Sequence, residues 1–182
     1  GLAACFEIAR AGHEATLFEG EKELGGVLRT GIPAYRLPRA MLDRDIQMIL
    51  DLGVDVRTGV FLDRSRIRKL SREFDAVILA AGLKQLAVPP IRNMECAGVE
   101  QGIEFLHRVN LGLRAFARGH VVVLGGGNTA MDCARSAIRS GAERVTVVYR
   151  RTREEMPAIR EEIDAAAHEG VSFLFLRQPL TF

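Results

Sequence analysis

VVVLGGGNTAMDCA, residues 121–134, is a short apolar run that breaks on three glycines and continues as a helical pattern. Near-continuous apolar residues suit a strand buried in a parallel sheet. Gly125, Gly127 and Ala130 stand at G-x-G-x-x-A spacing between that strand and the helix. This context gives the pattern a weight that bare glycines lack. Gly125 permits a tight turn, Gly127 lets the backbone come close to a diphosphate, and Ala130 allows helix and strand to pack closely. The helix N-terminus directs free N–H groups and a partial positive charge at the same place. Gly126 lies inside the turn, and Asn128 and Thr129 are placed to add polar contacts. A purely structural glycine turn is the competing reading.

The next strand bears on the nucleotide. It ends Tyr149-Arg150-Arg151, with Arg153 following, and Arg150 lies 20 residues beyond Ala130. An acid at this point would hold a free ribose 2′-hydroxyl. Arginine instead attracts a 2′-phosphate and bonds it in a fork. The expected ligand is therefore NADP(H). The alternative is a set of solvated charges at a strand end.

Outward from this unit, strands alternate with helices. Helices are expected over 1–11, 39–52, 64–70, 101–114, 128–140 and 157–169. Strands are expected over 14–19, 54–57, 75–80, 120–124, 145–149 and 171–176, with 20–38 as a loop and 83–100 irregular. The alternation predicts an α/β chain with parallel sheets. A helix, a glycine, a strand and a polar end occur at 2–19 and again at 129–150, as two Rossmann-like dinucleotide-binding units in tandem would show. In the first unit, Gly1 precedes a helix and Glu19 ends the next strand, 18 residues later. An acid there suits an adenosine ribose with free hydroxyls, as in FAD or NAD; a surface glutamate is the plainer reading. The loop ELGGVLRTGIPAYRLP, residues 23–38, carries Gly25 and Gly26, which let a ligand approach the backbone, and Arg29 and Arg36 as cations for flavin phosphates or ring oxygens. A simple linker fits the same loop.

Composition narrows the rest. The chain has 182 residues, 48% hydrophobic and 26% charged, with net charge +2. That is a globular composition without the charge excess of a nucleic-acid or anionic-lipid binder. No Trp and only two Tyr argue against an aromatic binding surface. No apolar run is long enough to span a membrane. Cys5, Cys96 and Cys133 form no CxxC, which disfavours a disulfide reductase, and are too few for an iron–sulfur cluster. Their odd number fits a reducing, cytoplasmic compartment. The chain opens at Gly1 inside a helical pattern and ends without a stop signal, so a piece of a longer protein is expected.

Six segments together carry a family resemblance: GLAAC…ARAGHEATLFE, ELGGVLRTGIPAYRLP, DAVILAAG, GIEFLHRVN, VVVLGGGNTAMDCARSAIRSGA and VYRRTREEMPA. In this order, over nearly the whole chain, they resemble the flavin-dependent small subunit of glutamate synthase. Relatives of that subunit are the flavin half of dihydropyrimidine dehydrogenase and the ferredoxin:NADP transhydrogenase large subunit. The resemblance implies a partial FAD-binding domain over 1–98 and an NADPH-binding domain over 99–182. Gly1 and Glu19 match the FAD glycine and ribose acid; Val27, Arg36 and Leu62 match flavin-contacting positions; Ala81 and Gly82 match a turn close to FAD. Gly126, Gly127, Asn128 and Thr129 match the NADPH diphosphate turn, and Arg150 and Arg151 the 2′-phosphate clamp. The family's first FAD strand, returning FAD segment and cluster cysteines are not in the chain, and 89–95 (PPIRNME) lacks the usual Pro-Gly turn.

The implied activity is hydride transfer from NADPH to FAD, then electron transfer to an iron–sulfur partner subunit or domain resembling the glutamate synthase large subunit. No catalytic side chain and no metal ligand are expected. His13, His107, His120 and His168 are scattered, and Glu154, Glu155, Glu161 and Glu162 read as a solvated face. A fragment that binds NADP(H) without activity of its own is the alternative.

Overall fold

The computed structural model describes residues 1–82, 91–113 and 118–181. The expectations for Pro89 and Pro90 of the hinge, and for the last residue of the 101–114 helix, lie outside these residues. The chain divides into two compact units. The first holds Gly1–Arg29 and the described residues from Ala34 to Gly82; the second holds Thr30–Pro33 and the described residues from Ile91 to Thr181.

In the first unit, α1 (Leu2–Arg10) leads to β1 (Thr16–Phe18), α3 (Arg39–Leu50) to β2 (Asp55–Arg57), and α4 (Arg64–Glu73) follows. β1 and β2 pair in parallel, with Leu17 opposite Val56. Leu24, Leu42 and Ile46 form a small core, with Leu2, Leu17, Leu37, Leu50 and Val56 against it. Leu42 and Ile46 are four apart on α3, so one helix face delivers both. Asp63 caps α4, its carboxylate accepting from the Arg66 N–H at 2.8 Å. These hydrogen bonds from the Arg66 N–H and from Ser65 hold the carboxyl below its ordinary value.

Two expectations change here. The 20–38 segment is not wholly loop: α2 (Gly26–Thr30) forms within it, its last residue counting with the second unit. The expected buried strand 75–80 is neither paired nor buried. Ile78 is 58% and Leu79 72% exposed. A strand persists only where a neighbour completes its hydrogen bonds, and no described segment does so for this one.

The second unit is better filled. α5 (Gly102–Asn110) precedes β3 (His120–Leu124), α6 (Asn128–Arg139), β4 (Arg144–Tyr149), α7 (Arg160–His168) and β5 (Ser172–Phe175). The three strands are parallel in the order β3-β4-β5, so α6 and α7 are the crossovers of two successive βαβ units. Strand alternation puts Val121, Val123, Val145, Val147, Phe173 and Phe175 in the core with Phe105, Leu106, Met131 and Ile163. On α6, Ala130, Ala134 and Ala137 recur at helical spacing and are buried, which lets the helix lie close to the sheet. The opposite sheet face leaves Val122 and Leu174 half exposed. Among the described residues no helix is long and apolar enough to cross a membrane.

Candidate functional site

The glycine turn sits where β3 hands over to α6. Gly125 has φ +133, a conformation that side-chain-bearing residues rarely adopt, and its N–H donates to Val148 O at 3.1 Å. Gly126 is buried under Tyr149: a Cβ built on it would lie 2.7 Å from Tyr149 Cε2. Gly127 differs from both. Its φ is −90 and its ψ 175, open to any residue, and a Cβ there would meet no protein atom within 4 Å. Nothing in the protein requires glycine at 127, and the position opens onto free space.

Gly127 is the N-cap of α6, and its carbonyl accepts from the N–H groups of Ala130 at 3.0 Å and Met131 at 3.2 Å. The first N–H groups of a helix have no partner within it, and Asn128 and Thr129 supply them here. Thr129 is exposed, Asn128 half-buried and Ala130 buried. The Asn128 side chain turns toward a different element: its Oδ1 accepts the Ile159 N–H at 2.9 Å.

Arg150 and Arg151 follow directly from β4 and are exposed. Neither side chain forms a hydrogen bond or an ion pair among the described residues, whereas Arg153 is paired with Asp164. The turn and the two uncommitted guanidiniums belong to the same unit, brought to one end of the sheet by the β3–β4 pairing. The sequence missed Tyr149 and the segment after the arginines. The signal was present: three glycines stand where the spacing needs two, and the extra one is where an aromatic ring rests.

The first unit places its residues more loosely. Gly1 caps α1 and packs on β1, where an added Cβ would come within 3.2 Å of Leu17 Cδ1; this is the close helix–strand contact expected of a third glycine. Glu19 ends the β1 ladder, its N–H donating to Arg57 O at 3.0 Å, and its half-buried carboxylate accepts the Glu21 N–H at 3.0 Å. Gly25 and Gly26 both have positive φ and introduce α2, on which Val27 is 57% exposed. Arg36 lies half-buried in the turn before α3, and Leu62 is half-buried just before α4. Ala81 and Gly82 are exposed at the end of the unpaired 75–82 segment. Arg29 serves the fold: it donates to Leu24 O and pairs with Asp43 and with Glu23. An open depression of about 440 Å³, lined by Arg29 with Lys22, Asp43, Gln47 and Thr58 among others, includes none of the other expected site residues.

Three free cysteines are present, and no described group of three or more His, Cys, Asp or Glu could hold a metal ion. Cys133 is an inert core residue. Burial first, then the charges of Asp132 and Glu100, push its thiol up to about 12.

Comparison with known proteins bears on the family and the fold. The family model for pyridine nucleotide-disulphide oxidoreductases matches residues 1–180. The chain is 42% identical over 184 residues to the beta subunit of the NADP(+)-dependent formate dehydrogenase of Moorella thermoacetica, covering 98% of this chain and 26% of that protein. It is 35% identical over 192 residues to the glutamate synthase [NADPH] small chain of Escherichia coli (strain K12), covering 99% of this chain and 41% of that protein. The chain thus spans less than half the length of these curated relatives. In structure it resembles Mycobacterium tuberculosis FprA, solved in complex with NADPH. The TM-score is 0.80 over 100% of this chain and 57% of that one, at 17% identity. That likeness extends to the fold.

Proposed function

Because this chain belongs to the pyridine nucleotide-disulphide oxidoreductase family, we propose that it is the coenzyme-binding part of an NADPH-dependent flavoprotein oxidoreductase. Residues 99–182 hold NADPH: Gly125, Gly126, Gly127, Asn128, Thr129 and Ala130 cradle the diphosphate, and Arg150 and Arg151 take the 2′-phosphate. Residues 1–98 contribute to the FAD site through Gly1, Glu19, Gly25, Gly26, Val27, Arg36, Leu62, Ala81 and Gly82. Bound together, the two cofactors supply hydride transfer.

The single observation that carries this reading is Gly127. Its backbone is unstrained and its missing side chain faces open space, so the protein itself has no use for a glycine there. A phosphate group drawn against the α6 N-terminus does. This chain's residues bind and orient; they need donate or accept no proton, and no side chain is assigned to catalysis. The uncommitted guanidiniums add charge recognition beside the turn.

Electrons leave toward an iron–sulfur partner in a reducing, cytoplasmic setting. The three unpaired thiols and the subunit names of the relatives support that assignment. A second reading, NADP(H) binding without flavin, is favoured by the contrast between the well-filled second unit and the unpaired, exposed 75–82 segment of the first.

Gly127→Ala tests the proposal. We expect unfolding stability to change by less than about 1 kcal/mol, the cost of a poorer N-cap, while NADPH affinity falls at least tenfold. Unchanged affinity would remove the diphosphate assignment. Visible absorbance of the purified protein separates the two readings: a flavin spectrum supports the first, a colourless NADPH-binding protein the second.

A further inference from the structure

We infer that Tyr149 and Asn128 are positioning residues for coenzyme choice, pinning the arginine-bearing segment 150–159 against the diphosphate turn. The inference rests on the NADPH reading above. It begins from the fact that a guanidinium selects a 2′-phosphate only if its backbone is held in place; a mobile arginine loses in ordering entropy much of what the contact gains.

Segment 150–159 has no regular structure of its own, yet it is tied at several points. The Tyr149 hydroxyl donates to Glu155 O at 3.0 Å. Thr152 closes a local turn, its N–H donating to Glu155 Oε2 at 3.1 Å. Ala158 N–H donates to Gly126 O at 3.0 Å, and Ile159 N–H to Asn128 Oδ1 at 2.9 Å. The carbonyl of Arg151 accepts the Leu176 N–H at 3.2 Å. Met156 and Ala158 are buried, so the segment is packed as well as bonded.

Two of these ties join the segment directly to the glycine turn, through Gly126 O and Asn128 Oδ1. A third contact is the Tyr149 ring lying on Gly126. The same residues therefore shape the diphosphate cradle and the backbone on either side of Arg150 and Arg151. Asn128 also links the starts of α6 and α7, since it opens one and bonds the N-cap residue Ile159 of the other. Within this arrangement the backbone is committed, and among the described residues the Arg150 and Arg151 side chains are not.

The test uses the full chain and compares NADPH with NADH by coenzyme fluorescence, and 2′,5′-ADP with ADP by calorimetry. Tyr149→Phe keeps the ring over Gly126 and removes only the hydroxyl. Asn128→Ala removes the acceptor for Ile159. Each is expected to lower the NADPH:NADH and 2′,5′-ADP:ADP affinity ratios roughly threefold to tenfold, the worth of a hydrogen bond. In Tyr149→Phe, which removes no group of the diphosphate cradle, NADH and ADP stay within about twofold of wild type. Asn128→Asp keeps an acceptor but sets a negative charge beside the diphosphate. It is expected to weaken all four ligands while keeping the wild-type NADPH:NADH ratio, a rescue that a merely structural role does not produce. In turnover by Tyr149→Phe, KM for NADPH rises and kcat stays.

Unchanged ratios in Tyr149→Phe and Asn128→Ala, or equal losses for both coenzymes, overturn the inference and leave the clamp standing. A wild-type chain with no preference for NADPH overturns the clamp and this inference together.

Discussion

Gly126 and the ring of Tyr149 are in such contact that any Cβ at 126 would lie 2.7 Å from Cε2, 2.8 Å from Cδ2 and 3.0 Å from Cζ. The ring cannot swing away freely, because its hydroxyl donates to Glu155 O. The middle glycine is thus required by the protein, whereas its neighbour Gly127 is not, and the proposed function assigns that position to the diphosphate. Of the three adjacent glycines, Gly125 answers a backbone demand and Gly126 a steric one, and neither demand falls on Gly127.

Gly126→Ala is expected to cost about 1–3 kcal/mol of stability, the usual range for overpacking a filled site. Urea unfolding measures it. In a Tyr149→Leu background the same substitution should cost clearly less, and additive losses would show that the ring is not the obstacle.

The three arginines after β4 should not behave alike. Arg150→Ala with Arg151→Ala is expected to weaken NADPH binding roughly tenfold or more while leaving NADH unchanged, since charge-assisted bonds to a phosphate are lost. Arg153→Ala should leave the coenzyme ratio as it was, because Arg153 is engaged with Asp164 on α7. A fluorescence titration with both coenzymes checks all three.

Stability should fall in acid through Glu169. The hydrogen bond from Arg139, then that from Arg135, outweigh burial and hold its carboxyl below the ordinary value. A depressed folded value means that the contribution is complete above the unfolded value, about 4.3, and is lost as pH falls through the folded one. Arg139→Ala is expected to lower the plateau at neutral pH and flatten the loss between about pH 5 and pH 3. Denaturation midpoints across that range provide the measurement; an unaltered slope would remove Glu169 as the cause.

Thiol labelling should separate the cysteines. Cys96 is exposed, while Cys5 and Cys133 are buried. Burial raises the Cys5 thiol, and Cys133, held near 12, donates weakly to Gly102 O at 3.3 Å. Alkylation at pH 8 is expected to modify Cys96 at once and Cys133 only on unfolding, as read by mass spectrometry of the peptides.

Much of the fold was legible in local pattern. The β3–turn–α6 unit was readable because an apolar strand, a positive-φ glycine and a small-residue helix face are each local patterns, although β3, expected as a buried strand, packs on one face only and leaves Val122 51% exposed. The arginines at the end of β4 were readable for the same reason: strand length and spacing put them at the sheet end that carries the turn. DAVILA, residues 75–80, shows the limit of such reading. Its composition is that of a strand, but strand formation is a property of a pair.

By itself, the order of residues settled the α/β class, the position of the glycine turn between strand and helix, and the sign of the charge that follows β4. Tertiary structure alone decided that Asn128 bonds Ile159, 31 residues away, that Tyr149 covers Gly126, and that among the described residues Arg29 and Arg153 are engaged while Arg150 and Arg151 are not. The physical reason is range. Periodicity and backbone conformation act within a turn or two of chain, whereas a hydrogen-bond partner is chosen by which segments the packed core brings within 3 Å of each other.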